Sequence, residues 1–304
     1  QLTFKLTETT ELNARGMITL EMLFSANKGM LPVPIQKAAS GGELSRVMLL
    51  LQQLISTKLQ MPSILFDEID TGVSGDVAEK IGKLLKEMGS NAYRASHHAP
   101  TLELLEACDS LGMLVIDEQR LLNSSPEYID QFKRLLKRDR NHPSVFLWSI
   151  GNEEQNIQGN EYGKKIAQTL LAIQKDIDPS RTSTYAADMG NDFKGVNEVI
   201  PIRGFNYREY AVADYHKDHP NQPLLGTEMG STVTTRGIYE KDEIRAYVPD
   251  QDITHPWWAS KAETWWKLAA ENKYWLGGFV WTGFDYRGEP TPYKWPNISS
   301  HFGI

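Results

Sequence analysis

From residue 62 onward the chain repeats one pattern, a short β-rich apolar run followed by a longer amphipathic run. Eight runs read as strands: 63–69, 91–96, 113–118, 145–150, 182–187, 202–207, 223–228 and 277–285. Helical spacing falls between them at 75–88, 100–111, 126–138, 161–177, 209–218 and 257–273, while the segment joining the fifth and sixth strands lacks it. Strands this apolar, separated by helices, predict a parallel sheet covered on both faces. Residues 62–304 span 243 positions, close to the roughly 250 of a closed (β/α)8 barrel. A doubly wound sheet is the alternative, but the chain offers no Gly-rich phosphate turn for it. The expected fold is an α/β TIM-like barrel that stops after its eighth strand, short of the last helix.

Composition divides the chain near residue 90. Of its 10 Phe, 8 Trp and 12 Tyr, residues 1–89 hold only Phe4, Phe24 and Phe66. Charge does not follow this break, since residues 1–89 carry 9 basic and 10 acidic side chains. Two segments of different ancestry are the simplest reading, with no Gly/Ser/Pro-rich linker between them. In the first segment KLTETTEL alternates like a strand and GMITLEMLFSA offers a second. A helix is expected from Gly41 to about Lys58, with Ser40 as N-cap.

Bulk properties exclude several classes. A net charge of -7 and a pI near 5.6 give no electrostatic case for a nucleic-acid partner. No apolar run approaches the roughly eighteen residues of a membrane span, and QLTFKLTETTELNARG lacks a signal-peptide pattern. The single cysteine, Cys108, rules out an internal disulfide and a cysteine-rich metal site.

Chemistry concentrates at two strand ends. In NHPSVFLWSIGNEE an apolar strand runs into Gly151-Asn152-Glu153-Glu154, and in PLLGTEMGS another ends at Glu228. Strand C-termini form the active-site face of a barrel. Two carboxylates converging there suit glycoside hydrolysis, which needs a proton donor and a nucleophile or base. A single strand-end Glu could equally cap a helix or sit solvated at the rim.

Residues 90–304 resemble the catalytic barrel of the glycoside hydrolase family two enzymes, which include β-galactosidases, β-glucuronidases and β-mannosidases. The resemblance rests on SNAYRASHHAPTLELLEACDSLGMLVIDE, NHPSVFLWSIGNEE, GFNY, GTEMGS and GGFVWTGFDYRGE, in the family's order. It implies Glu153 as acid/base, Glu228 as nucleophile and Asn152 as the ligand of the sugar 2-hydroxyl. It further implies that Tyr207 hydrogen-bonds the nucleophile, that Arg94 holds it ionised, that His97 contacts substrate, and that Trp281 is the stacking floor of the sugar site. The family usually has another residue where His98 stands. His97 and His98 could form a metal pair, but no HxxxH or third ligand lies nearby; no metal and no organic cofactor are expected. Trp257, Trp258, Trp265 and Trp266 follow a helical spacing and read as packing. Asp117-Glu118 reads as a structural salt bridge. The implied activity is that of a retaining exo-β-glycosidase, most like β-galactosidase, acting on a carbohydrate substrate.

The first segment resembles another family. KAASGGELSRV and SILFDEIDTGVSG look like the signature loop and Walker B strand of RecN-type DNA-repair ATPases. The resemblance implies that Asp67 orients magnesium, that Glu68 activates water and that Ser40-Gly41-Gly42 contacts a γ-phosphate. Yet ATP sites need the phosphate-cradling G-x-x-x-x-G-K-[ST] loop. Gly159 to Lys165 has the wrong spacing and no Ser or Thr, so the motif reads as vestigial. The chain is therefore read as a chimera, 1–89 ATPase-like and 90–304 hydrolase-like. Residues 63–89 are expected to supply the barrel's first strand and helix, that helix packing through Val77, Ile81, Leu84, Leu85 and Met88. The alternatives are a separate first lobe, an inactive fragment and a nucleotide-linked repair module.

Overall fold

The computed structural model describes residues 2–13, 16–25, 31–34, 75–87, 89–282 and 286–302. The chain forms two compact units, residues 1–59 and residues 60–304. In the first, β1 (Leu2–Asn13) and β2 (Gly16–Phe24) pair antiparallel, from Leu2 opposite Phe24 to Asn13 opposite Gly16. The two-residue β3 (Val33–Pro34) adds to the other side of β2. Both strands expected here form. The helix expected from Gly41, the strand expected at 63–69, and Ser40, Gly41, Gly42, Asp67 and Glu68 lie outside the described residues.

The second unit is the barrel. It begins at α1 (Gly75–Glu87), β4 (Ala92–Arg94), α2 (Leu102–Leu111) and β5 (Leu114–Glu118). Next come α3 (Pro126–Asp139), β6 (Val145–Asn152), α4 (Glu161–Ile177), β7 (Thr182–Ala187) and β8 (Ile202–Asn206). It closes with α5 (Val212–Asp218), β9 (Leu224–Gly230), α6 (Ala262–Glu271) and β10 (Trp275–Trp281). The described strands make one parallel sheet in the order β10-β9-β8-β7-β6-β5-β4, and β10 returns to touch β4. That is a nearly closed α/β barrel. Between β7 and β8, where no helix is expected, only a 3-10 turn (Gly195–Glu198) forms.

Packing follows from the strand period of two. Ile116, Leu147 and Leu225 come from three separate strands and meet in one cluster with Phe279 packed against it, which a curved, closing sheet permits. Outside the sheet, Phe205, Leu224 and Met229 pack under Tyr215 of α5 and Trp265 of α6. Ile81 and Leu85 of α1 are buried as expected, and the side chains of Val77, Leu84 and Met88 lie outside the described residues. At Gly82 a Cβ would stand 2.9 Å from Ala107 Cβ, so glycine lets α1 and α2 approach closely.

Asp252 sets where α6 begins. Its carboxylate accepts from the backbone N–H groups of Ala262 and Glu263 at 2.8 and 3.1 Å, satisfying orphan donors of the first turn. The helix therefore starts five residues later than its sequence spacing suggests, and Trp257 and Trp258 stand in the loop before it.

Gly151 turns the end of β6 toward the barrel mouth. Its φ is 146°, and a Cβ there would lie 2.8 Å from the backbone N of Leu122. Gly151→Ala is expected to destabilise the fold by about 1–3 kcal/mol, the cost of forcing a side chain into a glycine-only conformation. A urea midpoint lowered at constant m-value checks this.

Candidate active site

The strand ends deliver the polar groups. Arg94 ends β4, Glu118 ends β5, Asn152 ends β6 and Asn206 ends β8, while Glu228 lies near the end of β9 and Trp281 ends β10. Register puts Asn206 directly beside Glu228, and Gly230 beside Trp281. Irregularities between Ser149 and Asn152 and between Phe205 and Asn206 fall at these same ends, where bulges re-aim side chains. Glu153, Tyr207, Arg208 and Ser231 follow at φ of 47°, 55°, 61° and 59°. Left-handed backbone at non-glycine residues is uncommon and clusters at functional sites.

Arg94 is the hub. It is fully buried, and its Nη1 donates to Glu228 Oε1 at 2.8 Å and to the Thr227 carbonyl at 3.1 Å. Nη2 donates to Glu118 Oε2 at 2.7 Å and to Asn152 Oδ1 at 3.0 Å, while Nε donates to Glu118 Oε2 at 3.0 Å. The Tyr207 hydroxyl donates to the other Glu228 oxygen at 3.0 Å. Glu228 is thus a carboxylate fixed at both oxygens.

Glu153 sits differently. Asn206 Nδ2 donates to its Oε1 at 2.9 Å and to Asn152 Oδ1 at 2.9 Å. Burial, then the charge of Glu228, then that of Asp188 push the Glu153 carboxyl up to about 7, against the Asn206 hydrogen bond and Arg94. Two carboxylates in one cavity therefore differ in surroundings, Glu228 paired with Arg94 and Tyr207, Glu153 raised toward neutrality. Asn152 spends its oxygen on Arg94 and Asn206, which leaves its amide nitrogen as the face turned to the cavity.

His97 Nδ1 lies 2.9 Å from Glu118 Oε1, and its ring stacks on Trp281 with centroids 5.4 Å apart. Burial disfavours the charged imidazole, but the Glu118 hydrogen bond and charge, aided by Glu228, outweigh burial and Arg94 and leave its pKa raised. His98 turns away, its Nδ1 3.0 Å from the Ala99 carbonyl. Among the described residues no three His, Cys, Asp or Glu side chains are grouped to hold a metal ion. His97, Asn152, Glu153, Tyr207, Glu228 and Trp281 line a cavity of about 790 Å³ with Asp188, Arg208, Trp257, Trp258 and Glu289.

Each hydrolase-type residue expected from sequence, Glu153, Glu228, Arg94, His97, Asn152, Tyr207 and Trp281, belongs to this one cluster. Two expectations are corrected. Trp257 lines the cavity instead of packing, because Asp252 starts α6 beyond it, and Trp266 is 62% exposed; Trp258 also lines the cavity but packs, as expected, against Val233, Val248 and Phe302, and Trp265 is buried. Asp117 and Glu118 also part company. Glu118 does make a salt bridge, but with Arg94 beneath the site, whereas burial and then Asp139 hold the Asp117 carboxyl well above its usual range. Sequence reading missed Asn206, Asp188 and Glu289. The Asn of GFNY adjoined a marked Tyr, and that adjacency was the available signal. Gly159 to Lys165 is no phosphate loop: Asn160 caps α4 by accepting from Tyr162 N and Gly163 N.

With that geometry in hand, the sequence pattern of glycosyl hydrolases family 2, TIM barrel domain, matches residues 71–125 and 122–295. The chain belongs to this family. It is 31% identical over 296 residues to β-galactosidase BoGH2A of Bacteroides ovatus, an alignment covering 78% of this chain and 35% of that protein. It is 36% identical over 180 residues to the β-glucuronidase of Canis lupus familiaris, covering 54% and 26%. A β-glycosidase crystal structure from Bacteroides vulgatus superposes with a TM-score of 0.64 at 24% identity, covering 80% of this chain and 36% of that one. The chain thus spans about a third of the length of these relatives. A separate match, 47% identical over 83 residues, is to the DNA repair protein RecN of Rickettsia bellii, covering 27% of this chain and 15% of that protein.

The raised Glu153 pKa has a thermodynamic consequence. The folded state holds this proton to about pH 7, whereas an unperturbed Glu releases it near 4.5. Stability contributed by Glu153 is therefore present below about 4.5 and declines as pH rises through 7, by roughly 3 kcal/mol at most. Glu153→Gln removes the titration. Its stability relative to wild type should rise between pH 4.5 and pH 8, read from urea unfolding at both values.

Proposed function

We propose that residues 90–304 carry the catalytic barrel of a retaining exo-β-glycosidase, most like a β-galactosidase. The observation that carries this reading is the unlike pair of carboxylates, Glu153 raised to about 7 and Glu228 held by Arg94 and Tyr207. Glu228 attacks the anomeric carbon while Glu153 gives its proton to the departing glycosidic oxygen, leaving a glycosyl ester on Glu228. Glu153 then takes a proton from water, which attacks the same carbon and frees the sugar with retained configuration. Asn152 donates its amide N–H to the sugar 2-hydroxyl, and Trp281, steadied by His97, is the floor beneath the ring. A galactoside is the favoured substrate because the match to a β-galactosidase spans 78% of the chain, although β-glucuronidases are also similar.

Kinetics test the two roles. Glu228→Gln should abolish turnover, since an amide cannot form the ester, and a 2-fluoro-glycoside should leave its added mass on the Glu228 peptide of wild type. Glu153→Ala should slow substrates with poor leaving groups far more than those with good ones. Equal loss across leaving groups would remove Glu153 from the acid/base role.

The match to RecN supports a second element of the reading. Residues 1–89 derive from the C-terminal ATPase part of such a protein, and their helix Gly75–Glu87 serves as the first helix of the barrel. The missing Gly-rich loop denies a triphosphate its cluster of backbone donors and its lysine. Calorimetry of the full chain with ATP and magnesium should show no saturable micromolar binding.

A further inference from the structure

The residues assigned to the sugar do not use up the cavity. At about 790 Å³ it lies in the upper part of the roughly 300–1,000 Å³ that holds ligands of drug size. On the Glu153 side its wall is built by Asp188, just past β7, and by Arg208, just past β8. The Arg208 guanidinium grips Asp188 through both nitrogens it offers, Nε to Oδ1 at 2.6 Å and Nη2 to Oδ2 at 3.2 Å. Its Cζ stands 5.0 Å from the ring centroid of Trp257. Trp257 is 81% exposed and lines the cavity. An indole is the largest apolar side chain, and this one offers an open face at the cavity wall that a ligand can cover. Trp281, the other tryptophan platform, stacks on His97 and so belongs to the Glu228 side.

We propose that Trp257, braced by the Arg208–Asp188 pair, is the platform for the leaving group, and that this leaving group is itself a sugar. The inference rests on the β-glycosidase reading. Glu153 protonates the departing oxygen, so whatever departs must lie on the Glu153 side, and the Glu153 N–H donates to the Ala186 carbonyl at 3.0 Å, two residues ahead of Asp188. A pyranose presents an apolar C–H face and a rim of hydroxyls. The face covers the free side of Trp257, while the rim meets the acceptors and donors of Gln155, Gln158, Asp192 and Lys194, which also line this wall. Asp192 and Lys194 already pair at 2.6 Å and Gln158 accepts from the Tyr185 hydroxyl, so these groups stand pre-arranged, and a sugar rim can use their remaining donors and acceptors where an aromatic or lipid leaving group would only desolvate them. Arg208 and Asp188 are fixed before substrate arrives, by mutual pairing and by left-handed backbone at Arg208, so ordering costs on binding are small.

The test compares two substrates with the same terminal sugar, β-galactosyl-(1→4)-glucose and β-galactosyl fluoride, whose leaving group is a single atom. Trp257→Ala should lower the ratio of kcat/KM for the disaccharide to that for the fluoride by about tenfold, the cost of uncovering one ring face. Trp257→Phe should recover most of that ratio. An unchanged ratio, with both substrates slowed equally or neither slowed, would overturn the platform while leaving the glycosidase reading intact. Failure of wild type to cleave either substrate would count against the β-galactosidase reading instead. The platform is then read by saturation-transfer NMR of the disaccharide. Contact with the glucose-ring protons in wild type, lost in Trp257→Ala, supports it. Absence of that contact in wild type overturns it.

Discussion

A buried guanidinium holds this site together. Arg94 gives hydrogen bonds to two carboxylates, a side-chain amide and a backbone carbonyl. Burying an ion costs several kcal/mol, and the cost is recovered only when its donors meet acceptors in good geometry. Arginine suits the post because its planar fork reaches Glu118, Asn152 and Glu228 at once, whereas an ammonium is a point charge without that directionality. Arg94, Glu118, Asn152 and Glu228 belong to four strands, so the site's shape depends on the barrel closing in register, and closing in that register pairs Glu118 and Glu228 with one shared cation.

Backbone conformation supplies what side chains alone cannot. A strand points alternate residues to opposite faces, which would send Glu153 away from Asn152. The left-handed step at Glu153, after the glycine turn at Gly151, brings both to the same cavity, where Asn206 binds them together. The same device at Tyr207 and Arg208 sends the first to Glu228 and the second to Asp188. Residues in sparsely populated conformations of this kind cost about 1–3 kcal/mol each and persist where the surroundings determine them. Here the surroundings are the hydrogen bonds that the unusual backbone makes possible.

The barrel and the carboxylate pair were legible because both leave local traces. Short, nearly continuous apolar runs gave every described strand of the barrel to within a few residues, and GNEE and GTEMG stood at strand ends where a barrel does its chemistry. What stayed hidden depends on distance along the chain. Glu118 meets Arg94 across 24 residues and Asn206 meets Glu153 across 53, whereas the Arg94–Glu228 contact, across 134, was expected only through the family resemblance. The tryptophans misled because spacing cannot show where a helix begins. Asp252, ten residues ahead of Ala262, makes that decision by capping α6. Periodicity reads as helix on either side of the cap, and only the cap separates the loop tryptophans Trp257 and Trp258 from the helical Trp265 and Trp266.

The charges of the cluster explain why its two carboxylates differ. Arg94 carries one positive charge, and ionised Glu118, Glu153 and Glu228 would carry three negative ones. The raised pKa values of His97 and Glu153 move toward balance: a proton on each brings these five groups to zero. Glu153 is raised because burial and the charge of Glu228 outweigh the Asn206 hydrogen bond and Arg94, while Arg94 and Tyr207 donate directly to Glu228. Under the proposed mechanism this balance also drives the change of role. Esterification of Glu228 removes the negative charge that, after burial, does most to raise Glu153. The Glu153 pKa then falls toward that of an ordinary carboxyl. The group that entered the first step as an acid is left ionised for the second, able to accept a proton from water. Hydrolysis of the ester restores the charge on Glu228 and with it the proton on Glu153. The acid and base duties of one residue thus follow from the charge state of its neighbour, with no rearrangement of the fold.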